Sequence, residues 1–257
     1  MDITNNGKMY HINCTAEDIG KYVIVPGDPG RCERIAAYFD DAKHVSFNRE
    51  YNIYTGYLNG EKVSVCSTGI GGPSAAIAIE ELVMLGAHTF VRVGTCGGIA
   101  IDVNSGDNCI AMSAIRMSGT ADEYAPEDYP ATASYDVVTA LVEASEKINA
   151  RYHVGVVQCK DSFYGQHSPE TMPVSGMLQA KWEAYKKLGV LASEMESDTI
   201  FTVAAARGVR AGSVFHVVWN QERAKLGLPM EKTESNEPSI KIAVEALRIL
   251  IERDKKK

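Results

Sequence analysis

The 257-residue sequence is short of most features that would assign it a function at once. It holds no apolar run of the length a bilayer requires, so no membrane partner is expected. Its opening residues, MDITNNGKMYHINC, contain no long apolar stretch of the kind a secretory leader carries, and a cytoplasmic location is expected. Six cysteines (14, 32, 66, 96, 109 and 159) form no CxxC pair. Several sit inside apolar strand-like runs and read as reduced thiols, not as a disulfide framework. Positive charge is in deficit: 26 lysines and arginines against 33 acidic residues leave a net charge of −7. That balance argues against a nucleic-acid partner but not against a small anion, because a few arginines in a cleft set the local potential. No repeat, low-complexity linker or interior charge block divides the chain, and one domain over residues 1–257 is expected.

Present instead is an alternation of elements. Hydrophobic residues at 45% and charged residues at 23% are the proportions of an ordinary globular chain with a sizeable core. Short β-branched runs (KYVIV, KVSVCST, TFVRVGT, NCIAMSAI, HVGVVQC, GVLASEM and RAGSVFHVVWN) alternate with helical patterns at 31–40, 73–86, 135–149, 176–188, 196–207 and 237–253. The alternation predicts an α/β fold, a three-layer α/β/α sandwich around a mixed, mostly parallel sheet. Segments 117–133 and 162–175 read as long functional loops, and the polar segment 221–237 as a candidate lid.

Ligands of such sheets bind beyond the carboxyl ends of the strands, so the informative residues lie there. VIVPGDPGRCERIAAYF, from Val23 to Phe39, breaks a strand with Gly27, Asp28 and Arg31 before a helix begins. A tight turn explains it, and so does an anion site lined by backbone N–H groups and Arg31. STGIGGPS has Gly69, Gly71 and Gly72 in a spacing that is not the dinucleotide fingerprint, so a nicotinamide cofactor is not expected; Ser74 is its polar exception. FVRVGTCGG places Arg92 inside an apolar strand just ahead of Thr95 and Gly97. Arg92 is either a structural ion pair or, with Arg31 and Thr95, part of a phosphate cradle suited to guanidinium geometry.

SEMES places Glu194 and Glu196 at a strand end, on one side by period two. They read as capping or surface charge, as acceptors for a vicinal diol such as ribose, or as the paired carboxylates of a glycosidase or metal site. No histidine accompanies them at ligand spacing, which disfavours a transition metal. DSFYGQ offers Phe163 and Tyr164 as stacking faces and Gln166 as a two-way hydrogen-bonding amide in a broken loop.

Taken in register, VPGDPGR, CSTGIGGPS, RVGTCGG, DSFYGQ and SEMES make the chain resemble the nucleoside phosphorylase-I family, and within it the uridine phosphorylases, from about His11 to the C-terminal helix. The resemblance implies phosphorolysis of a nucleoside to free base and ribose 1-phosphate, with inorganic phosphate as co-substrate and no organic cofactor. It implies a homohexamer, a trimer of dimers, with sites shared between subunits. Phosphate would be held by Gly27, Arg31, Arg92, Thr95 and a neighbour's Arg49; ribose by Thr95, Met195, Glu196 and a neighbour's His11. The base would meet Gly97, Phe163, Gln166, His167 and Trp219. Arg31, Arg92, Gln166 and Glu196 would carry catalysis. Glu50, Ile70 and Ser74 match positions that hold a monovalent cation, potassium in some members.

Uridine is the expected substrate. Asn220 stands where purine members carry an aspartate, and a glutamine can read the uracil edge. Thr171 replaces an arginine that usually assists that glutamine, and Trp219 is bulky for its position. The alternatives are a purine or broad-specificity phosphorylase, a hydrolytic nucleosidase and a non-catalytic nucleoside-binding protein. An anion cradle has no purpose in the hydrolase, and keeping Arg31, Arg49 and Arg92 together points to phosphorolysis.

Overall fold

The computed structural model describes residues 4–233 and 235–257. In chain order the strands are β1 (Thr4–Asn5), β2 (Lys8–Met9), β3 (Tyr22–Pro26), β4 (Asp40–Asn48), β5 (Tyr51–Leu58), β6 (Glu61–Cys66), β7 (Thr89–Gly98), β8 (Asn108–Met117), β9 (Ala131–Thr132), β10 (Tyr152–Lys160), β11 (Ala192–Glu194) and β12 (Arg210–Asn220). The helices are α1 (Gly30–Ala36), α2 (Gly72–Met84), α3 (Gly119–Tyr124), α4 (Tyr135–Lys147), α5 (Phe163–His167), α6 (Ser175–Lys187), α7 (Ser197–Arg207), α8 (Gln221–Lys225) and α9 (Glu237–Asp254).

The main sheet is mixed, in the order β11-β10-β8-β12-β7-β3-β6-β5-β4. β12, β7, β3 and β6 run parallel, and β5 and β4 add an antiparallel edge. β3 is buried along its whole length, as a central parallel strand covered on both faces should be. Adjacent residues of β12 show that both faces carry helices. A Cβ on Gly212 would lie 2.5 Å from Val137 of α4, while Ser213 on the opposite side meets Ser197 of α7, Oγ to Oγ 2.9 Å. α9 buries Ile242, Leu247, Leu250 and Ile251 against α4 and the sheet.

The predicted sandwich is therefore present, with one addition. β11 also pairs antiparallel with β7, Ala192 opposite Gly98 and Ser193 opposite Gly97. This closes β7, β12, β8, β10 and β11 into a ring, so the tips of β10 and β11 arrive at the carboxyl end of β7 although they run against it. A small separate cluster of Ile99, Trp182 and Val190 seats α6 beside the ring.

Several sequence expectations shift. The helix read over 31–40 stops at Ala36, and β4 and β5 form a hairpin that the strand pattern did not include. The 117–133 loop contains α3 and β9, the 162–175 loop contains α5 and a 3-10 turn at Pro169–Thr171, and the candidate lid begins with α8. Trp182 Nε1 donates to Glu222 Oε1 at 2.9 Å, and Lys186 Nζ to Glu222 Oε2 at 3.1 Å, fastening α8 to α6.

Candidate active site

One cavity of about 870 Å³ opens at the ends of β3, β6, β7, β11 and β12. Gly27, Arg31, Glu50, Ile70, Ser74, Arg92, Thr95, Gly97, Phe163, Gln166, His167, Met195, Glu196 and Trp219 all line it. His11 and Arg49, expected to serve a neighbouring subunit, do not. His11 Nδ1 lies 2.5 Å from Glu81 Oε1, and Arg49 is exposed at the β4–β5 turn with φ +54°.

Arg92 is the hub. It is 4% exposed, and its Nε donates to Glu194 Oε2 at 3.2 Å while Nη2 bonds Glu196 Oε2. Burial would lower its pKa, but the charges of Glu196 and Glu194 more than offset that and raise it. The ion-pair reading of Arg92 therefore holds, and the residue also lines the cavity. Its Nη1 is buried and without a partner among the described residues. This donor lies beside Gly27, where an added Cβ would come within 3.9 Å of it.

Arg31 approaches from the turn after β3. Its pKa is lowered, chiefly by burial, raised by Asp28 and lowered again by the Arg92 charge, so the two guanidinium groups sense one another. Its nearest carboxylate, Asp28, stands 3.9 Å away and is mostly exposed, a weak pairing. The turn does not offer every backbone donor to an anion, because Asp28 Oδ1 already accepts from the Gly30 N–H at 2.9 Å.

The two glutamates differ in duty. Glu194 ends β11 and accepts from the N–H groups of Glu196 (3.0 Å) and Ser197 (2.9 Å), which makes it the cap of α7 as well as a partner of Arg92. Glu196 lies one residue outside that helix, and its Oε1 accepts from the Gly71 N–H at 2.7 Å. Burial raises the Glu196 pKa, opposed by Arg92 and reinforced by Glu194. A 4% exposed carboxylate with lone pairs to spare can accept from hydroxyls entering the cavity.

At the other end of the cavity, α5 is capped by Ser162, whose Oγ accepts from the Gly165 N–H at 3.0 Å. Phe163, His167 and Trp219 form an aromatic wall, with ring centroids 4.4 Å apart for Phe163 and His167 and 6.4 Å for His167 and Trp219. Burial, then the Lys160 charge, lowers the His167 pKa and favours the neutral ring. Trp219 turns to the cavity and not to the core. The β12–β7 register slips between Val217 and Trp219, and this bulge lets both Val218 and Trp219 line the site. Asn220 does not: it is fully buried, its Nδ2 donates to Ala100 O and Val103 O at 2.8 Å, and its Oδ1 caps α8.

Gly69 explains the contact between the remaining polar pair. Its φ is +66°, and a Cβ there would sit 2.8 Å from Glu50 Cγ and 3.0 Å from Ser74 Oγ. With no side chain in the way, Ser74 Oγ donates to Glu50 Oε1 at 2.5 Å, and this bond holds the Glu50 pKa below its usual value.

A sequence profile described as the phosphorylase superfamily matches residues 21–253. The chain belongs to the phosphorylase superfamily. It is 52% identical over 245 residues to the uridine phosphorylase of Treponema pallidum (strain Nichols), covering 95% of each. It is 40% identical over 250 residues to the uridine phosphorylase of Escherichia coli (strain K12), covering 95% of this chain and 98% of that one. The guanosine phosphorylase of Halorubrum lacusprofundi is 38% identical over 250 residues, covering 95% of this chain and 99% of that one.

In this phosphorylase-superfamily chain the sequence reading missed one charged residue of the cavity. Lys160, at the end of β10, lines the cavity and is 6% exposed. Its Nζ donates to Ser193 Oγ at 2.8 Å, and Ser193 Oγ donates to Gln166 Oε1 at 2.6 Å. Thr171 is absent from the cavity lining; its Oγ1 donates to Ser168 O at 2.8 Å within the same loop.

Proposed function

We propose that this chain is a uridine phosphorylase, a pentosyltransferase that uses inorganic phosphate to cleave uridine to uracil and ribose 1-phosphate. The observation that carries the reading is the buried, unpartnered Nη1 of Arg92 in one cavity with Arg31 and Glu196. A bare guanidinium donor is costly to leave unpaired, and an oxyanion is the ligand that satisfies it best. Phosphate would lie against Gly27, Arg31, Arg92 and Thr95. Ribose hydroxyls would donate to Glu196 beside Met195, and the base would enter between Gly97, Gln166 and the wall of Phe163, His167 and Trp219.

The reaction needs no protein nucleophile. As the glycosidic bond breaks, positive charge develops on the sugar and negative charge on the base; phosphate beneath the ring stabilises the first and donors around the base stabilise the second. The lining supports this polarity: the guanidinium groups of Arg31 and Arg92 would take the anion, the carboxylate of Glu196 the sugar, and the amide of Gln166 with the aromatic rings the base.

A purine reading draws support from the guanosine phosphorylase relative. Against it, Asn220 has all its hydrogen bonds committed within the fold and offers no acid to a purine nitrogen. We favour a homohexamer built as a trimer of dimers in the cytoplasm, the whole chain acting as one domain. Arg49 and His11 would then complete a neighbour's site, and the exposed Phe47 and Ile70 would be covered. Glu50, Ser74 and the Ile70 carbonyl are hard oxygen donors of the kind a potassium ion takes, and would hold one between subunits.

The deciding experiment follows uracil release from uridine with and without phosphate, beside thymidine, inosine, guanosine and adenosine. Phosphate-dependent turnover of uridine above the purines is expected. Equal release without phosphate would make the protein a hydrolase, binding without release a nucleoside-binding protein, and faster turnover of inosine or guanosine a purine phosphorylase.

A further inference from the structure

Leaving-group stabilisation is the part of the reaction that the expected residues cover least. Gln166 is a neutral amide, and its Oε1 is already occupied by the Ser193 hydroxyl. That bond fixes the amide so that Nε2 is the group left to face a base. Neutral amide donors alone offer modest stabilisation to an anion spread over a ring and two carbonyl oxygens.

We propose that Lys160 is a catalytic residue of this chain, its ammonium group bonding a carbonyl oxygen of the departing uracil anion. The proposal rests on the uridine phosphorylase reading and adds to it the residue that carries the leaving group's charge. Three observations place Lys160 there. It lines the same cavity as Gln166, Phe163 and His167. It is 6% exposed, so little water screens it. Its Nζ has three N–H groups and spends one on Ser193, its only hydrogen bond among the described residues. Its Nζ also lies over the Phe163 ring, 5.9 Å from the centroid. Among the described residues no carboxylate forms an ion pair with it; Glu194 and Glu196 pair with Arg92.

The geometry makes one donor surface of two residues. Lys160 donates to Ser193 and Ser193 to Gln166, so the lysine both anchors the amide and stands beside it as the positive charge. In the reaction a phosphate oxygen bonds C1′ as the C1′–N1 bond breaks. The bond pair passes into the uracil ring and onto its oxygens, where Lys160 and Gln166 Nε2 meet it. The proton that phosphate brought in ends on the base through water. Lys160 gains and loses none over the cycle.

The test compares wild type, Lys160→Met and Lys160→Gln on uridine and on 5-fluorouridine, whose base is the more acidic and leaves more readily. Thermal melts verify that each variant is folded. Lys160→Gln removes the charge while keeping an N–H donor on a side chain one bond shorter, so it remains informative if the methionine variant does not fold. Both are expected to lose about 100-fold or more in kcat on uridine, the scale of one preorganised donor to a developing anion. The loss should be distinctly smaller on 5-fluorouridine, and KM for phosphate should hardly move. Equal losses on both substrates, or a change confined to KM, would reduce Lys160 to a structural part and overturn the proposal while leaving the phosphorylase reading intact. Full activity in Lys160→Gln would overturn it too. A wild type that turns over phosphate-dependently on other nucleosides but not on uridine would overturn both.

Discussion

Replacing Arg92 with methionine removes a guanidinium that is 4% exposed and leaves two carboxylates, 3% and 4% exposed, facing the gap. The two do not suffer alike. Glu194 keeps the backbone N–H groups of Glu196 and Ser197, whereas Glu196 keeps only that of Gly71. Removing one partner of a buried ion pair costs about 3–5 kcal/mol, and most of that should fall on Glu196. Glu196 can escape part of it by taking up a proton, so the cost must depend on pH.

The sign follows from its existing shift. Burial already raises the Glu196 pKa and Arg92 opposes the rise, so deleting Arg92 raises it further. The unfolded chain's glutamates titrate at about 4.3. A raised folded value favours the native state at low pH and costs stability as pH climbs. The gap between wild type and variant should be small near pH 5 and widen by at most about 1.4 kcal/mol per pH unit, levelling once the variant's Glu196 ionises. Urea melts at fixed protein concentration between about pH 5 and pH 8 measure it. Adding Glu196→Gln to Arg92→Met should recover stability at the upper end, a coupling that a double-mutant cycle reads directly. A loss under about 1 kcal/mol that stays constant across this range would refute the buried three-charge cluster.

Gly20→Ala should be strongly destabilising, by about 3 kcal/mol in a urea melt, since its Cβ would fall 2.3 Å from the Lys62 carbonyl oxygen, a backbone atom that cannot swing aside. An unchanged melt would mean that β6 yields there. Asp254 accepts from Tyr22 and Lys257 at 2.9 Å and from both terminal nitrogens of Arg210. Burial alone would raise its pKa, but Arg210, Lys257 and Tyr22 hold it well below the usual carboxylate range. Its stabilisation is therefore complete above about pH 4 and lost as pH falls further. Asp254→Asn should flatten that acid limb, and an identical limb in the variant would assign it to other groups. Arg49→Ala and Glu196→Ala chains, each inactive alone, should regain activity when reassembled together; verified mixed oligomers that stay inactive would place each site within one chain.

The parts of the fold that could be read in advance are those with a one-dimensional signature. β3 and β7 announce themselves as apolar runs because helices cover both faces, and Arg92 stands out as the charge inside such a run. β4 carries no such mark. Most of its residues are exposed, it lies at the sheet edge, and the apolar spacing of IAAYF before it extends the apparent helix across Asp40. Its hairpin with β5 brings Glu50 to the cavity while leaving Arg49 outside, a division that turn geometry decides and composition does not.

The same distinction runs through the site. Gly27, Arg31, Thr95 and Glu196 follow or end strands, where polar residues after apolar runs are conspicuous. Lys160 also ends a strand, but a lysine in that place reads as a solvated terminus. It is buried only because β11 pairs with β10 on one side and β7 on the other, bringing Ser193 to the lysine and to the loop of Gln166 at once. Trp219 owes its orientation to a bulge, since strict alternation would send Val218 and Trp219 to opposite faces. Both cases depend on long-range pairing, and both fall beside Gln166 and the aromatic wall, where the base would lie. The proposed phosphate end is built from residues whose local context exposes them; the end that would choose a base is built by ring closure and a slipped register. Relatives that share the strand-end motifs can therefore differ in the nucleoside they cleave.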